Sequence, residues 1–141
     1  GMDVLNSKQT FEDEVKTLEE NYSNGYDYFF LHYKPADSAG EDGNFAQKVA
    51  MLEEFDSKLE RVLQLEPDVL VICGDHSTPS YIASHSWHPV PFLISSKLSQ
   101  GRAGAQFTEN TCQEGSIGSI RAEELMLLVL SHADKLNKFG P

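Results

Sequence analysis

At 141 residues, 40% of them hydrophobic and 10% aromatic, the chain carries enough apolar surface for one packed core and too much for a disordered segment. Its formal net charge of −11 argues against nucleic acid as a partner, because the phosphates would be repelled. No apolar run approaches the roughly 20 residues that span a bilayer. No basic stretch followed by an apolar one opens the chain either, so neither a membrane span nor a signal peptide is expected. Two cysteines are too few for a disulfide framework. Cys73, inside an apolar run, is expected to be a buried, reduced thiol in a cytoplasmic protein.

Thr10 is placed to cap a helix over residues 11–22, with Glu12, Asp13 and Glu14 in its first turn and Asn24-Gly25 after its end. Residues 26–33, rich in Tyr and Phe and free of breakers until Lys34-Pro35, predict a strand, and residues 35–43 a polar loop. Asn44 can cap the next helix. Phe45, Val49, Leu52, Phe55 or Asp56, Leu59 and Leu63 recur at helical spacing and make one apolar face, and Pro67 closes the element. Residues 68–73 form a short continuous apolar run that ends at Gly74, as a strand covered on both faces would. Residues 90–94 predict another strand, with Pro91 near its start. Residues 101–118 read as loop. A last helix is predicted over 121–135, with Leu125, Leu128, Val129 and His132 or Ala133 on its inner face.

That order predicts a parallel α/β sheet with right-handed crossovers, whose carboxyl-end loops gather along one edge. Three polar clusters fall in such loops: Asp37 to Gly43, Gly74-Asp75-His76-Ser77, and His85-Ser86-Trp87-His88-Pro89. Taken singly each is weak, since acidic glycine-rich loops solvate and turn easily and loop histidines commonly sit on surfaces. Together they offer carboxylate oxygens and imidazole nitrogens to a divalent ion such as Zn²⁺ or Mn²⁺, and two such ions can serve an in-line phosphoryl transfer. A bound cation would also relieve the mutual repulsion of the carboxylates. His32, in a predicted strand, and His132, on a helix, read as structural.

The stretch Tyr26-Asp-Tyr-Phe-Phe-Leu-His-Tyr-Lys-Pro-Ala-Asp37-Ser-Ala-Gly40-Glu41-Asp-Gly43 resembles the archaeal-type cofactor-independent phosphoglycerate mutases, members of the alkaline phosphatase superfamily. The resemblance continues through Asn44-Phe45, Lys48, Glu54 and Asp56, then Asp68 to Pro79, His85-Ser86 and Pro89-Val90-Pro91. It ends with Cys112 to Gly118, Ile120-Arg121, Leu125-Met126 and Lys138-Phe139-Gly140. It therefore runs in order over nearly the whole chain. It implies that Asp37 and His85 are ligands of one metal and that Asp75 and His76 are ligands of another, the ions being Mn²⁺ or Zn²⁺, with Mg²⁺ a third option. Glu41 stands where the family has a histidine, which adds negative charge and moves the site toward harder ligation. His88, where the family often has an acid, reads as an incidental change rather than a ligand.

The resemblance implies a three-layer αβα half-domain with a mostly parallel, alkaline-phosphatase-like sheet. Residues 1–141 would form one domain corresponding to the C-terminal, metal-binding part of the family. The family's remaining metal-binding aspartate, its phosphoryl-carrying serine and most of its inserted substrate domain belong to an N-terminal portion. Neither Ser38 nor Ser77 matches the nucleophile. No catalytic residue is therefore expected in this chain, and the chain alone is expected to be inactive. The implied activity is a glycolytic one, the interconversion of 2- and 3-phosphoglycerate, and it would need a complementing chain. Two other readings are a non-catalytic metal-binding or regulatory partner and a metal-dependent phosphatase. An open sheet edge with exposed apolar surface is also expected, and with it self-association or a partner chain.

Overall fold

The computed structural model describes residues 1–5, 10–99 and 106–137. They gather into two compact units, Gly1–Glu66 with Thr78–Ser86, and Pro67–Ser77 with Trp87–Pro141. In chain order the elements are α1 (Phe11–Asn21), α2 (Pro35–Glu41), α3 (Phe45–Gln64), β1 (Val69–Cys73), β2 (Phe92–Ser96), α4 (Glu109–Gln113) and α5 (Ala122–His132). None of these helices is long and apolar enough to cross a membrane.

The first unit is helical. The Thr10 hydroxyl accepts from the Asp13 N–H at 3.2 Å, and the Asp13 carboxylate accepts from the Thr10 N–H at 3.4 Å, so two of the helix's unpaired donors are satisfied reciprocally. Phe11, Val15 and Leu18, four and three residues apart, are the buried face of α1. Phe11 stacks on Phe55 of α3 with ring centroids 5.4 Å apart and meets Tyr33 edge-on at 4.6 Å. Across the solvent side Arg61 of α3 grips Glu19 through two bonds, of 2.8 and 2.6 Å, and reaches Glu12 as well. The bond from Lys58, and then that from Arg61, hold the Glu12 carboxyl below its ordinary range, and the Arg61 bonds do the same for Glu19. Asn44 caps α3 as expected, its side-chain oxygen accepting from the Gln47 N–H at 3.0 Å. Only the middle of the apolar face of α3 is covered. Phe55 and Leu59 are half-buried, whereas Phe45 and Leu52 are 70% and 50% exposed.

Two expectations for this unit are corrected. Residues 35–43 are not a loop: they contain α2, which Pro35 opens from the first helical position, where its missing N–H costs nothing. Residues 26–33 have no partner strand among the described residues. They do show two-residue alternation, with Phe29, Leu31 and Tyr33 half-buried and Tyr28, Phe30 and His32 exposed. Strand structure requires a ladder for the backbone groups. This segment is instead held by side chains, Tyr33 donating to the Met51 carbonyl at 2.9 Å and to Glu54 at 2.6 Å.

The second unit holds the sheet, which is two-stranded and antiparallel, with Val69 opposite Ser96, Val71 opposite Ile94 and Cys73 opposite Phe92. The expected parallel sheet is thus not present among the described residues. A parallel pair needs a crossover, usually helical, to return the chain to the starting end. The residues from Gly74 to Pro91 contain no helix, and β2 runs back alongside β1. Cys73, expected to be buried, is exposed at the end of β1, and Cys112 is half-buried. Within the predicted 101–118 loop Thr108 caps the short helix α4. Residues 101–105 and the closing Lys138-Phe139-Gly140 lie outside the described residues. α5 matches its prediction, with Leu125, Leu128, Val129, His132 and Ala133 half-buried, and it packs on β1.

Candidate metal centre

Helical geometry explains the first group of donors. Asp37 and Glu41 lie one turn apart on α2 and so share a face. His85 comes to that face from the segment after the turn at 80–83. Its Nε2 is 3.7 Å from Asp37 Oδ1 and 3.3 Å from Glu41 Oε1. Two donor atoms bound to one Zn²⁺ or Mn²⁺ at roughly 2.1 Å lie about 3.0–3.5 Å apart. The Glu41–His85 pair falls in that range and the Asp37–His85 pair just outside it, so His85 can share a divalent ion with either carboxylate.

Asp37 is the most enclosed of the three, its side chain 16% exposed against 49% for Glu41 and 55% for His85. Both of its oxygens are engaged. Lys34, one turn back, donates to Oδ2 at 2.8 Å, and the Thr78 hydroxyl donates to Oδ1 at 2.6 Å. The sequence pointed to Asp37, Glu41 and His85 but not to these two partners. The only hint of Thr78 was its place directly after Asp75-His76-Ser77. Lys34 was read merely as the end of a strand.

The second group belongs to the other unit. Asp75 and His76 follow β1, the Asp75 carboxylate accepting from the His76 N–H at 3.0 Å and lying 3.7 Å from His76 Nε2. The Asp75 side chain is 71% exposed and that of His76 32%. Gly74 brings the turn close to Val90, whose Cβ would stand 3.2 Å from a Cβ at this position. Although Cys73 is exposed as a residue, partial desolvation of its thiol, and then the charge of Asp75, push that thiol up from its ordinary value.

His88 stacks on Trp87 with centroids 4.9 Å apart, both residues exposed. His132 Nδ1 lies 2.8 Å from Ser96 Oγ and ties the end of α5 to the end of β2. His32 lines a hollow of about 280 Å³ together with Glu14, Tyr33, Lys34 and Ser38. Burial raises the Glu14 carboxyl there, and the nearby imidazole opposes the shift.

The profile of the metalloenzyme superfamily matches residues 2–132. The chain is 49% identical over 140 residues to a protein of Thermotoga petrophila named "Probable 2,3-bisphosphoglycerate-independent phosphoglycerate mutase", with 99% of this chain covered. It is likewise 49% identical to a protein of the same name from Aquifex aeolicus. The chain spans about a third of the length of these relatives, 35% and 34% respectively. Among solved structures it is similar to the PH0037 protein from Pyrococcus horikoshii, with a TM-score of 0.80 and 32% identity. That match covers 92% of this chain and 39% of the other. The resemblance read from Asp37 to Gly43 and from Asp68 to Pro79 is borne out.

Proposed function

The chain belongs to the metalloenzyme superfamily, and on that premise we propose that it is the metal-holding portion of a cofactor-independent phosphoglycerate mutase. Its reaction would be phosphoryl transfer between the 2- and 3-positions of phosphoglycerate. The observation that supports this reading is the placement of His85 Nε2 3.7 Å from Asp37 Oδ1 and 3.3 Å from Glu41 Oε1, close to the spacing of two donors on one divalent ion. Asp75 and His76 would supply donors to a second ion. Ions so held polarise a phosphoryl group and offset the charge that develops on its oxygens. Asp37 supplies an oriented carboxylate, fixed on both oxygens. Glu41 supplies a second one, so oxygen donors outnumber nitrogen around His85, which favours Mn²⁺ or Mg²⁺ relative to an imidazole-rich site.

The exposed Phe30, Phe45 and Leu52 support a further element of this reading, in which self-association or a second polypeptide covers these apolar faces. Size-exclusion chromatography with light scattering is expected to show a species larger than the monomer, or one that forms when the partner is added. A clean monomer at micromolar concentration would count against self-association. Metal binding itself is tested by calorimetric titration of the chain with Mn²⁺ and Zn²⁺. Micromolar or tighter binding is expected, and absence of binding to either ion would contradict the reading.

A further inference from the structure

Thr78 is the most enclosed polar residue among those described, at 4% exposure, and two helices of its unit, α2 and α3, converge on it. Its hydroxyl donates to Asp37 Oδ1 at 2.6 Å. Its carbonyl accepts from Lys48 Nζ of α3 at 2.5 Å. Its backbone also sits directly against Gly40 of α2, where a Cβ would run into the Thr78 carbonyl oxygen and press on the Thr78 methyl at 3.0 Å. Gly40, itself buried, is thus the residue that lets this segment approach α2, and the Lys48 ammonium holds it there. The φ of Gly40 is not in the left-handed region, so space rather than backbone conformation demands the glycine.

From this arrangement we infer that Thr78 is a positioning residue for the metal centre: its hydroxyl fixes the rotation of the Asp37 carboxylate and turns Oδ1 toward His85. The inference rests on the reading of Asp37 and His85 as ligands of one ion. Lys34, whose side chain is 62% exposed, reaches Oδ2 through a long flexible chain and orients the carboxylate less firmly than a buried hydroxyl does. Outer partners of this kind typically contribute about 10–100-fold to metal affinity.

The test is calorimetric titration of Mn²⁺ into the 141-residue chain and into its Thr78→Val, Thr78→Ala and Thr78→Ser variants, with a thermal melt of each in the metal-free state. Valine keeps the shape and loses the hydroxyl, whereas serine keeps the hydroxyl and loses the methyl. Mn²⁺ affinity is expected to fall about tenfold or more in Thr78→Val and Thr78→Ala and to stay within about threefold in Thr78→Ser. If Thr78→Val does not melt cooperatively, the alanine–serine pair carries the comparison. Unchanged affinity in the variants without a hydroxyl would overturn the inference and leave the metal reading standing. Equal losses in all three would overturn it too, since packing alone would then explain them. Absence of Mn²⁺ binding by the unaltered chain would instead sink the metal reading, and the inference with it.

Discussion

Asp37→Asn should weaken Mn²⁺ and Zn²⁺ binding by at least about a hundredfold in calorimetric titration while leaving the fold in place. The substitution changes one atom and one charge. Asparagine can still accept from the Thr78 hydroxyl, so the contact between α2 and the 78–86 segment is preserved. What is lost is the anionic oxygen 3.7 Å from His85 Nε2 and the counter-charge of Lys34. A neutral amide oxygen is a poor replacement for a carboxylate toward a divalent ion, and only Glu41 and His85 remain as the other donors of this group. The far-UV circular dichroism and the cooperativity of the metal-free melt are expected to match the unaltered chain. Equal metal affinity in Asp37→Asn would show that Asp37 is not a ligand, and the convergence on α2 would then be an ordinary ion-pair cluster.

Much of the first unit could be read from sequence because its signals are local. Thr10 with Asp13 marks the start of α1, Asn24-Gly25 its end, and Asn44 the start of α3, each through side-chain or backbone chemistry confined to a few residues. The short helix α2 was obscured by its own composition. Pro35 reads as a breaker when it closes a strand and as an initiator when it opens a helix, and Asp, Ser and Gly are all weak helix formers. Its stability comes from Gly40 and Ala39 being buried, a tertiary effect that no local pattern displays.

The sheet was misread for a related reason. The apolar runs at 69–73 and near 92–96 were found, but strand direction depends on what the connection does. The segment from Gly74 to Pro91 offered no helical period from which a crossover could have been inferred. Residues 26–33 kept the alternation of a strand without its ladder, since periodicity reports which side chains face inward and not whether a neighbour exists. Cys73 shows the same limit: an apolar run places a residue on a strand, whereas its exposure depends on what packs over that strand's end.

At the candidate metal centre the sequence supplied the ligating types only in combination, since each cluster alone reads equally well as a solvated loop or a surface histidine. The supporting residues were not visible. A threonine hydroxyl bonds to whatever lies beside it, and what lies beside Thr78 was decided by the missing side chain of Gly40 and by Lys48 from another helix. The placement of Glu41 on the same helical face as Asp37 followed from their spacing only once residues 35–41 were known to be helical.

The most direct test of the central claim is turnover in a chimera. This chain would replace its aligned segment in the Thermotoga maritima protein of the same mutase name, which is 49% identical to it over 140 residues and of which it covers 35%. The remaining two-thirds of that protein would then supply whatever the reaction needs from outside this chain. Metal-dependent interconversion of 3- and 2-phosphoglycerate by the chimera, abolished by Asp37→Asn, is the expected result. A chimera that melts cooperatively and binds Mn²⁺, yet shows no interconversion where the parent protein does, would contradict it.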